Sequence, residues 1–427
     1  MSRQTTSHVA TRRAICMGLV ALATIACSDI TTLEQENPGQ ILATDAYVPQ
    51  NAQLLVNGAI SDFECAFNRY VGGSALFVDE LGTSVAATTN YEYDRRAVPS
   101  DGPYGTGGCT SVQQPGIYTP LSVARASADT ILARLEAWTD AEVPNRGKLI
   151  AQSAAYAGYS LVLLGEGMCS AAINLGPELT PEQLFQEAEA RFDKAIAAAT
   201  AAGDATLLDF ALLGRARARL DRGDEAGAGV DAALITDGFV MNTTSDAADV
   251  RRQNVPYLMT WRNGTATVES AFRDVTWAGV PDPRVAVVNT GVQGANGQTI
   301  VWAPQKAALA TSPIAIARWA EARLILAEAK LAANDPDGAV AIINELHGRA
   351  GIPAYDGSAA APDDVHAQII EERRREFFLE GHRLGDIRRY DLPLLPATGV
   401  PYAFGGVYGN QRCFPLPDVE RINNPNL

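Results

Sequence analysis

Residues 320–346 read "AEARLILAEAKLAANDPDGAVAIINEL". Alanine, leucine and isoleucine recur there at three- and four-residue steps, which is the spacing of one face of a helix. The run breaks at Asn334-Asp335 and then resumes, with the small residue Ala339 five positions after Asn334. An earlier stretch, "LLGRARARLDRGDEAGAGVDAAL" at 212–234, follows the same plan. Its helix breaks at Gly223-Asp224, and Ala228 stands five positions after the glycine. Two helices joined by a short polar turn, with small residues where they cross, form a pair that cannot bury its apolar face alone. Such pairs stack.

This pattern is the signature of tetratricopeptide-like helix pairs. The spacing predicts a mostly α fold, with these pairs stacked as a scaffold and a loop-rich face carrying a few short strands. Helical periodicity also runs through "LSVARASADTILARLEAW" and "RGKLIAQSAAYAGYSLVLLGEG". Thr180-Pro181-Glu182-Gln183 opens another helix: threonine caps, proline suits the first turn, and glutamine completes a capping box. Two inserts interrupt the scaffold. Residues 88–120 mix Gly, Pro, Ser and Thr with Tyr91, Tyr93, Tyr104 and Tyr118, and read as a long loop. Residues about 236–312 contain Trp261, Trp277 and Trp302 in turn-rich surroundings that suggest short strands.

The whole chain has 427 residues, 47% hydrophobic and 19% charged, which is ample for a packed core. Its net charge is −15, and residues 1–26 hold three arginines and no acid, leaving the rest near −18. A surface of that sign repels phosphate backbones, so nucleic acid is not expected as a partner. Arg12 and Arg13 precede the apolar run "AICMGLVALATIA", too short to span a bilayer, which ends before Cys27. That order predicts a signal peptide over 1–26. "TIAC" resembles the bacterial lipoprotein box, with Thr24 where leucine is usual, and makes Cys27 the expected lipidation site. Residues 27–44 then form a polar tether, and 45–427 a single body. No later segment is apolar enough to cross a membrane, so the lipid is the expected attachment.

Once Cys16 leaves and Cys27 is acylated, Cys65, Cys109, Cys169 and Cys413 remain for an oxidising compartment. Three pairings are open. Cys65–Cys109, which would staple the Gly-rich loop, is the favoured one, with Cys169–Cys413 by default.

Residues 371–393, "EERRREFFLEGHRLGDIRRYDLP", carry five acids and six arginines in their first twenty positions. The near-cancellation argues against a phosphate site and for ion pairs, which arginine's planar fork suits when partly buried. As one helix from Asp363, the stripe Ile370, Arg373, Phe377, Gly381, Leu384 lines one face. Opposite charges at Glu371–Arg375, Glu380–Arg383 and Arg383–Asp386 stand three or four apart. The expected ion-pair motif is Glu372, Arg373, Glu376, Glu380, Arg383 and Asp386, acting as scaffold.

"IIEERRREFFLEGHRLGDIRRYD" closely resembles the C-terminal hallmark of the SusD/RagB family of outer-membrane nutrient-binding lipoproteins. "ARWAEARLILAEAKLAAND", "AIINELHGRAGIP", "FPLPDVERINNPNL" and "VDELGT" resemble further stretches of that family. The resemblance implies a non-enzymatic, lipid-anchored protein on the extracellular face of the outer membrane. Such a protein acts as the lid of a SusC-like TonB-dependent transporter and captures oligosaccharides or peptides. It implies no cofactor. Sugars offer hydroxyls and flat CH faces, so aromatic loops are the expected contacts. Tyr91, Tyr93, Tyr104, Tyr118, Trp261 and Trp277 are the candidates. Tyr91 and Tyr93 lead, since strand-like alternation would put both on one face.

Two rival readings fit the sequence less well. His347, His366 and His382 lack ligand spacing, and no G-x-S-x-G elbow or phosphate-cradling loop occurs, which argues against a zinc hydrolase or other enzyme. No metal loop of EF type is present either. The alternative is a tetratricopeptide-type scaffold lipoprotein that binds proteins or peptides. It does not account for long aromatic loops between helix pairs.

Overall fold

A computed structural model describes residues 43–109, 115–357 and 361–427. The chain divides into Met1–Val48 and Pro49–Leu427. Of the first unit only the end is described, with a one-turn helix at Ala43–Ala46. Cys27 and the expected signal and tether lie outside the described residues, apart from the tether's last two positions.

The second unit is built on a run of helices in which each packs on the next. These are α1 (Ala52–Phe77), α2 (Tyr118–Ala137), α3 (Arg146–Gly167), α4 (Pro181–Ala202), α5 (Ala205–Asp221), α6 (Glu225–Ala232), α7 (Trp319–Ala332), α8 (Pro336–Ala350) and α9 (Pro362–Glu376). The two echoing segments have the same local geometry. Gly223 and Asn334 both take left-handed backbone, with φ of 78° and 60°. The aspartate that follows each, Asp224 or Asp335, accepts the backbone N–H three residues on, at 2.9 Å in both cases. One residue reverses the chain and the next caps the new helix. Ala228 and Ala339 are fully buried at the crossings. The capping box at Thr180–Gln183 is also formed.

Close helix approach depends on missing side chains. A Cβ on Gly158 or Gly214 would meet the Phe192 ring at 2.8 or 2.2 Å, so α3 and α5 clasp that ring from two sides. Phe192 joins a continuous core that runs from Phe63 to Leu416.

Short strands decorate the scaffold, as the turn-rich middle suggested. β1 (Leu81–Thr83) pairs antiparallel with β3 (Ala266–Val268), Leu81 opposite Val268. β2 (Val240–Asn242) pairs with β6 (Ala315–Arg318), and β4 (Val287–Gln293) with β5 (Ile300–Pro304) as a hairpin. Cys65–Cys109 and Cys169–Cys413 are disulfides, closing separations of 44 and 244 residues.

The 371–393 stretch is not one helix. α9 stops at Glu376, Leu379 and Gly381 take φ of 55° and 82°, and α10 (Arg383–Arg389) starts afresh. A Cβ on Gly381 would stand 3.2 Å from Val71 Cγ2, so α1 approaches the break itself. Because the helix turns, the charges find partners on other elements rather than along one face. Glu372 binds Arg284 (2.6 Å) and His347 (2.8 Å), while Glu376 and Glu380 share Arg318. Arg373 binds Asp386, and Arg383 binds Asp79. Glu371–Arg375 does form within α9. The expected Glu380–Arg383 and Arg383–Asp386 pairs do not, since those groups are claimed by Lys306, Arg318, Asp79 and Arg373. The lattice reaches well beyond its own motif.

Candidate functional site

Residues 88–120 are more helical than their composition suggests. Thr88–Asp94 and Pro103–Thr106 form short helices, and α2 already begins at Tyr118. Gly102 and Pro103 open the second helix and Gly107 ends it, while the first ends at Arg95, before Arg96 takes left-handed backbone. This corrects the expected pairing of Tyr91 with Tyr93, because residues two apart on a helix point in different directions.

Tyr93 is buried. Its hydroxyl donates to the Pro115 carbonyl at 2.9 Å and its ring meets Phe414 edge-on. Tyr104 and Tyr118 are buried as well, with hydroxyls spent on the carbonyls of Pro415 and Ala172. These three tyrosines, expected at the ligand, belong to the core. Asn90, Asp94 and Arg96 are buried beside them.

Tyr91 is half-buried and faces a different neighbour. Its ring lies parallel to that of Phe404, with centroids 4.7 Å apart and planes 2° apart. Tyr402 meets both edge-on, at 5.8 and 5.7 Å, and Tyr408 meets Tyr402 at 5.1 Å. The last three rings come from the tail "PYAFGGVYGN" at 401–410. There Gly405 and Gly406, with φ of 102° and 79°, reverse the chain. Tyr402 N–H donates to the Gly406 carbonyl and Tyr408 N–H to that of Val400.

Polar groups tie this turn to the helix beneath it. The Gly409 N–H donates to the Arg95 carbonyl at 2.7 Å, and a Cβ on Gly409 would stand 2.2 Å from the Arg96 carbonyl oxygen. Arg96 binds the carbonyls of Leu395, Pro396 and Gly409 and lies over the Tyr408 ring at 5.0 Å. Asp94 accepts from the Thr83 N–H (2.7 Å) and the Tyr402 hydroxyl (3.1 Å). Burial pushes its carboxyl up to about 6, against those hydrogen bonds. Nearby, the hairpin of β4 and β5 is pinned where Asn296 N–H donates to the Ser84 carbonyl.

The result is an aromatic platform, Tyr91, Phe404 and Tyr408, half-exposed above a rigid polar base. It can hold a flat apolar face by stacking and offers hydroxyl and backbone groups at its rim. Asp94 is used up as an acceptor by the Thr83 N–H and the Tyr402 hydroxyl. Among the described residues no three His, Cys, Asp or Glu side chains converge to hold a metal ion.

The tryptophans sit elsewhere. Trp261 is 38% exposed and donates its indole N–H to the Pro304 carbonyl. Trp277 packs edge-on against His347 with Arg375 over its ring. Among the described residues neither makes a ring contact with the Tyr91 group. Sequence reading missed Phe404, Tyr402 and Tyr408. The alternation Tyr402, Phe404 around Gly405-Gly406 was the available signal.

Residues 286–420 match the SusD family. The chain carries a SusD-family region on a SusD-like fold. Solved structures agree across most of its length. A SusD superfamily protein of Bacteroides vulgatus aligns over 89% of this chain and 98% of its own, at 14% identity and a TM-score of 0.69. A SusD-like protein of Bacteroides fragilis covers 90% and 98%, at 14% identity and a TM-score of 0.68. A structure described as a SusD-like carbohydrate binding protein, also from Bacteroides vulgatus, covers 89% and 97%, at 16% identity and 0.65. No curated protein matches the sequence significantly. The resemblance read in the C-terminal motifs, and the helical scaffold expected with it, are both met.

Proposed function

We propose that this SusD-like chain is a cell-surface lipoprotein that binds oligosaccharide and serves as the lid of a SusC-like TonB-dependent transporter. It is a carrier and not an enzyme. The observation that carries the reading is the parallel Tyr91–Phe404 pair with Tyr408 beside it, held half-exposed on a base fixed by Arg96 and Asp94. Stacked aromatics held rigid before the ligand arrives lose little side-chain entropy on binding, which suits weakly polar sugar faces. The carbohydrate binding ascribed to one structural neighbour supports the same class of ligand. Lipid on Cys27 would keep the platform at the surface, where no helix among the described residues is long and apolar enough to cross the membrane.

Probing the purified chain on an array of glycans and peptides tests the ligand class. Retention of oligosaccharides, with product analysis showing them unaltered, is the expected result. Binding of peptides alone would move the chain to the protein-binding scaffold reading. Acylation is checked by mass spectrometry of the N-terminal fragment, and co-purification of a TonB-dependent barrel checks the partner.

A further inference from the structure

Arg95 and Arg96 are neighbours in sequence with opposite fates. Arg96 is 1% exposed and spends its guanidinium on three carbonyls beneath the aromatic platform. Arg95 lies one helical turn after Tyr91, its N–H donating to the Tyr91 carbonyl at 2.8 Å, so the two side chains share a face. Its guanidinium rests on the Gly405-Gly406 turn, next along the chain from the stacked ring of Phe404. A Cβ on Gly406 would stand 2.8 Å from Arg95 Nη1 and 3.8 Å from its Cζ. The missing side chain leaves room for a cation at the end of the stack.

That cation is not committed. Nη1 reaches the Gly405 carbonyl at a long 3.4 Å, in an exposed contact, and the buried Nε has no partner. Among the described residues no carboxylate lies within ion-pair distance of Arg95. The acids nearest in sequence do not neutralise it. Asp94 turns inward to Thr83 and Tyr402. Glu92 feels the charge of Arg95 from beyond ion-pair distance, and burial favours its neutral form. Every arginine of 371–393, by contrast, is held by carboxylates or carbonyls. On a chain of net charge −15, an open guanidinium beside the platform is an attraction for anions that the general surface does not supply.

A hexuronate offers what these two features hold together. Its flat CH face suits Tyr91 and Phe404, and the carboxylate at the edge of its ring suits the arginine fork. Resting on the platform reading above, we infer that Arg95 is the residue that sets the ligand class of this site: it pairs with a sugar carboxylate and selects uronate-containing oligosaccharides over neutral ones.

Calorimetric titration of the full chain with trigalacturonate and with its fully methyl-esterified form tests this, because the two share a skeleton and differ in charge. The free acid should bind about tenfold more tightly than the ester. Arg95→Gln should remove that preference by weakening the acid about tenfold. Arg95→Lys should keep part of it, since the charge remains and the fork is lost. Phe404→Ala should weaken both probes alike. An acid that binds no better than its ester, a preference that survives Arg95→Gln, or binding of neither probe at about 10 mM overturns the assignment. The platform reading is judged apart from it, and stands if neutral oligosaccharides bind and Phe404→Ala weakens them.

Discussion

Arg383 donates two hydrogen bonds, of 2.8 and 2.7 Å, to the carboxylate of Asp79, which lies 304 residues earlier, and both side chains are buried. This fork ties the C-terminal motif to the end of α1. The net worth of such a pair is modest, because desolvation opposes the attraction, but breaking it strands a buried cation. Asp79→Asn is therefore expected to cost about 3–5 kcal/mol, read as a lower urea midpoint at unchanged slope. A change below the scatter of the melts would show that Arg383 finds another partner.

Glu321 shows the opposite electrostatic situation. It is 1% exposed, its Oε2 has no partner, and the nearest ion-pair contact is Arg217 at 3.8 Å. Burial raises its pKa from 4.5 to about 7, with Arg217 and Arg373 opposing. The folded chain thus holds this proton more tightly than the unfolded one. The stabilisation is complete below about pH 4.5 and is lost as pH rises to about 7. Glu80, also pushed up to about 7 by burial, acts in the same sense. Glu321→Gln is expected to raise stability at about pH 7.5 by roughly 1–3 kcal/mol and to change little below about pH 4. Urea melts across that pH range check it; parallel curves for the two proteins would refute it.

At the aromatic platform, removing either member of the stacked pair separates binding from folding. Tyr91→Ala or Phe404→Ala should weaken oligosaccharide binding about five- to tenfold. Tyr93→Ala, two residues away but fully buried, should instead destabilise the fold by about 3–5 kcal/mol. Glycan titrations paired with thermal melts distinguish the two, and undiminished affinity in both platform variants would place the sugar elsewhere.

Gly381 combines a φ of 82° with the approach of Val71 and Tyr70. Gly381→Ala is expected to cost about 1–2 kcal/mol from the left-handed backbone alone, with the steric contact adding to it. A melt indistinguishable from the parent would show that the turn can relax.

The sequence alone determined what local physics controls. The break-and-cap pairs at Gly223-Asp224 and Asn334-Asp335, the capping box at Thr180 and the balanced charges of 371–393 all depend on residues within a few positions of one another. Their geometry could be read in order along the chain. Tertiary structure decided everything that depends on distant partners. Arg383 chose Asp79 over its sequence neighbours Glu380 and Asp386, because α9 ends and Gly381 turns the chain toward α1. Tyr91 became a platform residue while Tyr93 became core, because a seven-residue helix has too little periodicity of its own to show which side faces the tail. Phe404, the ring that completes the stack, arrives from a segment with no regular repeat. Alternation and composition are silent about which remote ring will lie parallel to another; only the packed chain brings them within 4.7 Å.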